Sequence, residues 1–398
     1  MTKDTYLCRL ILGVLLALFA CTMLINIAHN PLDSDQTQID EQAHLSYALT
    51  LIDQQRWWPD FEHFPMYDRT TAQPLKIAVN YLNHPPTFYW LAKIAHSVLP
   101  GLTPLSYRYG AMAISLLGIF LYGAIGLRLA MPLLPTLLYA LTPFLIYAYK
   151  QIGFYNNDCV AMLGGLLVTY ASLLWFHERS IKKAFLLLLL GLGLASIKLT
   201  ALLLVTLYAV SCLLLKRPML RSIPWQAYAI TILTGILILL PYVHLMLQTG
   251  SPAPETIGQQ FLMTNHQAGE NWSRVLITGW VQEPRMDFLH WFVSFLRDFA
   301  VQVSQYDTTF IPLLLLIVGM LRAACQKPQH PLQHMLQACA IATIITLTIH
   351  TCFAWGRYLH YGWRLDSGLR YYYPLLALYG AACGYALSGV SRAKRETI

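Results

Sequence analysis

Two carboxylates, Asp40 and Glu41, stand side by side in the stretch Ile39–Trp58, IDEQAHLSYALTLIDQQRWW, and His44 follows one helical turn after Asp40. Tyr47 and Leu51 continue that series, so Asp40, His44, Tyr47 and Leu51 fall on one face of a predicted helix. Paired acids of this kind supply a general base for an acceptor hydroxyl, or ligands for a hard divalent cation such as Mg or Mn. Adjacent residues diverge on a helix, so only one of the two points into a given cleft. His44 could orient that carboxylate or bind the substrate. The same pattern also describes an amphipathic helix lying solvated on a membrane.

Three further groups carry chemistry-bearing residues. In Asn83-His84-Pro85-Pro86 the prolines fix the start of a helix and so hold His84 at a defined place; an exposed histidine at a helix start is the plainer reading. In Tyr155-Asn156-Asn157-Asp158 an acid flanked by amides either caps the next helix or provides a second acidic element facing the first, with Lys150 placed to meet a phosphate. The third group runs Arg357…Arg364…Arg370-Tyr371-Tyr372-Tyr373-Pro374, where a planar guanidinium suits phosphate and the tyrosines suit the headgroup level; snorkelling arginines would look the same. Lys198 is apolar on both sides, a costly position unless the ammonium reaches water or a phosphate. No Gly-rich phosphate loop, Ser-His-Asp order or HExxH occurs, so a cytoplasmic nucleotide site has no support and an activated donor would be lipid-carried.

The elements that must position these groups are membrane helices. The 398 residues are 56% hydrophobic and 12% charged, against about 25% charged in soluble domains, and mean hydropathy is +0.48. The chain reads as an all-α polytopic membrane protein, one membrane domain over 1–398, with a first outer loop at 30–104 and a second at 248–306. Apolar runs near 10–29, 105–129, 132–149, 158–176, 184–215, 224–247, 307–322, 333–354 and 371–389 are candidates to span. The 184–215 run is too long for one ordinary crossing; basic clusters at 177–183 and 216–221 make it a hairpin with Ser196-Ile197-Lys198 at the far turn. That gives about ten spans with both termini inside. The cytoplasmic segments then hold 14 of the 27 basic residues and 3 of the 19 acidic ones, leaving 13 and 16 outside, as the positive-inside rule expects. The net charge of +8 is therefore an orientation signal, and no nucleic acid is expected as a partner. The segment after His84 is too short and polar to cross and is expected as a re-entrant or interfacial helix, with Tyr89 and Trp90 in the headgroup zone. Phe288, Trp291, Phe292 and Phe295 form a stripe expected to rest on the membrane as a lid. The eight cysteines fall mostly inside apolar runs, and neither long loop has one, so no disulfide framework or Cys-based zinc site is expected. The first apolar run is expected as a retained helix, not a cleaved signal. One sequon, Asn271-Trp272-Ser273, lies in the second loop, and the default location is a bacterial inner membrane with the site facing outward.

Taken in order, DEQAH (40–44), HPP (84–86), YNND (155–158), the lysine of ASIKLT (195–200) and RYYYP (370–374) resemble the GT-C superfamily of integral-membrane glycosyltransferases. The bacterial branch similar to protein mannosyltransferases and aminoarabinose transferases is the nearest in pattern. The resemblance implies a transferase that moves a sugar from a polyprenyl-phosphate carrier to a glycan, lipid or protein acceptor at the outer face, with inversion. It implies a base or metal ligand at Asp40 or Glu41, a second acidic site at Asp158, and carrier-phosphate contacts from Lys198 and Arg370, with Lys150 as a further candidate; His44, His84, Asn157 and Tyr371 complete the expected substrate contacts. Two departures matter: the first motif is Asp-Glu and not a spaced Asp-x-Asp, which bears on metal dependence, and the sequence runs only to Ile398, so a small acceptor read by the two outer loops is expected. The competing reading is a transporter or flippase for a lipid-linked substrate, which would call for charges at the bilayer midplane and repeat symmetry. A third is a non-catalytic assembly partner, in which the carboxylates would be dispensable.

Overall fold

The computed structural model describes residues 3–32, 39–177, 181–216, 225–254, 256, 286–303, 310–328, 330–361 and 368–388. Among them are thirteen α-helices and one small hairpin. Five helices are long and apolar enough to cross a bilayer: α1 (Lys3–Ala28), α4 (Pro104–Leu129), α6 (Asp158–Phe176), α9 (Trp225–Thr249) and α12 (Pro331–Tyr361). Five more apolar helices run 12 to 17 residues: α5 (Leu133–Leu145), α7 (Ile181–Ala195), α8 (Leu199–Leu215), α11 (Phe310–Cys325) and α13 (Leu376–Leu387). The 184–215 run is indeed two helices, with Ser196-Ile197-Lys198 at the turn and the Tyr242 hydroxyl donating to the Ser196 carbonyl at 2.5 Å.

The core gathers around α6, which is buried almost throughout. Two adjacent glycines make that possible. A Cβ at Gly164 would come within 2.6 Å of the Gly191 carbonyl on α7, and one at Gly165 would collide with the Pro374 backbone. Gly165 thereby seats the 3-10 segment Leu369–Leu375, which carries Arg370, directly on α6. Nearby, α5 holds a proline inside its helical run, Pro143, which leaves the Tyr139 carbonyl without its i+4 donor. The Tyr122 hydroxyl of α4 takes that carbonyl at 2.6 Å. The chain then breaks at Tyr147, φ +53°, into a 3-10 turn Ala148–Lys150.

The first long loop folds as α2 (Ile39–Asp53), a hairpin of β1 (Pro65–Tyr67) and β2 (Pro74–Val79), and α3 (Thr87–Val98). The hairpin departs from the all-α expectation. Its turn is made by Asp68, whose carboxylate accepts the amides of Thr70 and Thr71 at 2.9 and 2.8 Å. Ser46 of α2 docks it, accepting the Tyr67 amide at 2.8 Å. As expected, α3 starts after Pro86; at about 1.5 Å per residue its 12 residues are too short to cross. It buries Phe88, Tyr89 and Ala92 and exposes Leu91, Ile94 and Val98. Tyr89, expected in the headgroup zone, is fully buried and stacked on Tyr47 at 3.7 Å, because α2 and α3 pack through these rings.

The aromatic stripe on α10 (Phe288–Val303) also differs from expectation. Trp291 and Phe295 are fully buried, and Trp291 packs on Trp355 and Tyr358 of α12, so the stripe is an internal seam and only its Phe288 end stays exposed. Most of the second loop, including the Asn271 sequon, lies outside the described residues, as does Arg364.

Candidate active site

α2 turns its two acids in different directions, as 100° per residue requires. Glu41 is 1% exposed and points into the protein: Arg108 of α4 holds both its oxygens, and the Tyr155 amide donates to Oε1 at 2.9 Å. Expected as a base or metal ligand, Glu41 has both oxygens engaged by buried structural donors. Asp40, its side chain 27% exposed, faces the other way. There it accepts the Tyr81 hydroxyl at 2.7 Å and pairs with the Arg370 guanidinium, 330 residues along the chain. Burial alone would raise the Asp40 carboxyl. The Arg370 charge, the Tyr81 hydrogen bond and the nearby His44 outweigh it and hold the group well below the usual carboxylate range.

Asp158 opens α6 and is 3% exposed. Its Oδ1 pairs with the Lys198 ammonium, and its Oδ2 lies 3.9 Å from Arg370 Nη1. Arg370 thus bridges the two acids, and Lys198 closes the group from the α7–α8 turn. Lys198 also sits 4.6 Å from the centre of the Tyr371 ring, and Arg370 5.7 Å from it. The capping role expected for this motif falls to Asn156, whose Oδ1 accepts the Asp158 amide at 3.0 Å. Asn157 makes no capping bond. It is buried, and both its amide nitrogen and its amide oxygen lack a hydrogen-bond partner.

His44 and His84 stand with rings nearly parallel, centroids 6.0 Å apart, and His44 Nδ1 is 2.7 Å from the Tyr89 hydroxyl. The Tyr47 hydroxyl donates to the His84 carbonyl at 2.8 Å, so the two-proline start of α3 and the face of α2 fix this pair together. Burial pushes His44 down to about 4, against the pull of Asp40 and Asp158. Burial, then the His44 and Lys198 charges, pushes His84 down to about 3. At neutral pH both are uncharged hydrogen-bonding groups, not phosphate counter-ions.

Asp40, His44, His84, Asp158, Lys198, Arg370 and Tyr371 therefore form one group. Lys150 stands over the Tyr147 ring at 5.0 Å, in the turn whose Tyr149 carbonyl is held by Asn26 of α1. Sequence reasoning missed Tyr81, Tyr89 and Arg108. The signal for Arg108 was there: a guanidinium four residues inside a predicted span must have a partner. Among the described residues, the acid and imidazole ligand atoms that gather within 4.8 Å of one another belong to Asp60, Glu62 and His63, on the connection after α2.

No protein-family model matches the chain, and no curated protein matches it in sequence. Solved structures do match. The crystal structure of ArnT from Cupriavidus metallidurans bound to undecaprenyl phosphate aligns with 96% of this chain and 61% of its own, at 15% identity and a TM-score of 0.52. The crystal structure of ArnT from Cupriavidus metallidurans in the apo state aligns with 89% of this chain and 57% of its own, at 16% identity and a TM-score of 0.48. This chain thus spans about three fifths of the length of the structure it matches. At such identity the likeness is one of fold: the chain has an ArnT-like helical membrane architecture, the one that the GT-C resemblance led us to expect.

Proposed function

We propose that this chain is a polyprenyl-phosphate-dependent glycosyltransferase of a bacterial inner membrane, its ten apolar helices crossing the bilayer and its site on the extracytoplasmic face. One observation carries the reading: two acids and two cations from α2, the start of α6, the α7–α8 turn and the segment before α13 close into a single alternating group. Such a group has the two poles of a sugar displacement, a base for the incoming hydroxyl and positive charge for the departing phosphate. The ArnT structure holds undecaprenyl phosphate, and a similar carrier would suit Lys198 and Arg370 here.

The chemistry follows from the pairing. A carboxylate gripped by a guanidinium is a weak base, so Asp40 is quiet while Arg370 holds it. A donor phosphate that takes up Arg370 and Lys198 loosens Asp40 and Asp158 and raises their basicity. The acceptor oxygen then attacks the anomeric carbon while its proton passes to the freed carboxylate. The bond from that carbon to the phosphate oxygen breaks, and its electrons stay on the phosphate between the two cations. A single displacement inverts the anomeric centre. His44 and His84, both neutral, hydrogen-bond the sugar. Asn157 has an unmet donor and an unmet acceptor, which fits a hydroxyl, whereas a phosphate only accepts.

In the donor-free pairing the residues do not fit a dedicated Mg or Mn site. Glu41 is committed to Arg108 and Tyr155, and Asp40 and Asp158 each pair with a protein cation. The displacement runs through no metal, and turnover is expected to survive EDTA.

The test is transfer or hydrolysis of a panel of radiolabelled polyprenyl-phosphate sugars by purified protein in detergent, beside Asp40→Asn. Release from one donor, lost in the variant, establishes the class and names the sugar. No release from any donor, with the carrier lipid still bound, refutes the transferase.

A further inference from the structure

Glu41 and Arg108 form a second buried ion pair. Burying two charges gains little stability over apolar residues of the same volume. What such a pair does supply is direction, since a planar fork and a carboxylate lock each other's orientation. Here every arm of the pair leads to a different segment. Arg108 gives Nε to Glu41 Oε1 at 2.9 Å and Nη2 to Oε2, while its Nη1 donates to the Asn30 carbonyl at 2.8 Å. Its guanidinium lies over the Phe154 ring at 5.4 Å, and Glu41 Oε1 takes the Tyr155 amide as well. One pair therefore ties the end of α1, α2, α4 and the turn before α6 at a single point.

That point adjoins both acids of the site along the chain. Asp40 is the residue before Glu41, and Asp158 is three residues after Tyr155. Among the described residues, Asp40 and Asp158 are linked through Arg370, the group a donor phosphate would draw away. Once Arg370 is so engaged, the Glu41–Tyr155 bond remains as the polar tie that sets the register of α2 against the start of α6, beside the apolar packing the two share.

Resting on the transferase reading above, we propose that Glu41 and Arg108 are positioning residues that hold Asp40 and Asp158 at a fixed separation while Arg370 serves the phosphate. Glu41 takes no proton and touches no substrate.

The variants are Glu41→Asp, which keeps the charge on a stem about 1.5 Å shorter, Glu41→Gln, which keeps the shape and the acceptor for Tyr155, and Arg108→Lys. Full-length protein in nanodiscs is read three ways: amide hydrogen exchange at Tyr155, affinity for undecaprenyl phosphate, and kcat against KM with the donor found in the panel. Glu41→Asp is expected to deprotect the Tyr155 amide, to leave lipid affinity unchanged within about threefold, and to lower kcat on the order of 10²-fold at unchanged KM, the scale of a 1 Å misplacement. Glu41→Gln is expected to restore Tyr155 protection and much of kcat. Wild-type kcat in Glu41→Asp overturns the proposal, and so does a parallel loss of lipid affinity and kcat in all three variants. If the wild type turns over no donor, the transferase reading falls alone; Tyr155 exchange then decides the clamp, and unchanged protection in Glu41→Asp sinks it.

Discussion

Lowering the pH from 7 to 5 should destabilise this protein through His44, by an amount that its surroundings fix. His44 is 3% exposed, bonded to Tyr89, and titrates near 4 in the folded chain against 6.5 in the open chain. Its folded pKa is the lower one, so between those values the unfolded chain binds more protons and stability falls as pH falls. The loss begins near 6.5 and is complete near 4. At pH 5 the unfolded imidazole is almost fully charged while the folded one is almost fully neutral, which costs about 2 kcal/mol relative to pH 7. His84 adds a loss of the same sign, because its pKa is pushed down to about 3. Asp40 contributes almost nothing over this interval, since its carboxyl is ionised there in the folded and the open chain alike. The assay is equilibrium unfolding in mixed micelles at pH 7 and pH 5, wild type against His44→Gln. Glutamine keeps a polar group for Tyr89 and cannot titrate, so the variant should lose about 2 kcal/mol less than wild type on acidification. An identical acid loss in both proteins would refute the burial of His44 as a neutral imidazole, and with it the assignment of that ring to a sugar and not to phosphate.

Three further outcomes follow from the same geometry. Arg370→Ala should weaken undecaprenyl phosphate binding by about 10- to 100-fold, with Arg370→Lys intermediate, because a charge-assisted contact is worth about 1.5–3 kcal/mol; isothermal titration showing an unchanged affinity would remove Arg370 from the phosphate site. Gly165→Val should displace the Leu369–Leu375 segment that rests on it, lowering carrier affinity before it unfolds the protein, and a variant of normal affinity and turnover would show that α6 does not set Arg370. Tyr122→Phe should cost about 1–3 kcal/mol, since it strands the carbonyl that Pro143 has already deprived of its helical donor; a thermal midpoint equal to wild type would contradict that.

Much of the architecture was legible because membranes make sequence explicit. A 32-residue apolar run bounded by basic clusters has few ways to sit in a bilayer, and the α7–α8 hairpin is the one found. The prolines after His84 likewise mark the start of α3. The β-hairpin was hidden for a different reason. Its strands are only three and six residues, and their register depends on Ser46, Gln42 and Asn80 bonding across from α2 and the hairpin's end. No local periodicity encodes such tertiary docking. The aromatic stripe of α10 was misread on similar grounds, since an apolar face looks alike whether lipid or another helix covers it.

The choice between Asp40 and Glu41 shows where sequence reasoning stops and what decides it. Helical geometry says that the two must diverge; it does not say which one faces the site. Position relative to distant cations distinguishes them. Arg108, in a neighbouring helix, holds both oxygens of Glu41, and Arg370, near the far end of the chain, meets Asp40. Neither pairing leaves a trace in the DEQAH motif itself. The informative signal lay in the cations: each of Arg108, Lys198 and Arg370 sits where an uncompensated charge would be costly, and each has a carboxylate partner. Three buried or half-buried cations and three acids could pair in several ways, and one pairing isolates a structural clamp from a site that can exchange partners. The Glu41–Arg108 pair is locked by the Asn30 carbonyl and the Tyr155 amide and has no reason to open. Arg370, shared between Asp40 and Asp158 and 28% exposed, has an alternative to each partner and access for an incoming anion. On the transferase reading proposed above, that difference in exchangeability, more than the presence of acids, separates Asp40 from its neighbour as the group able to act.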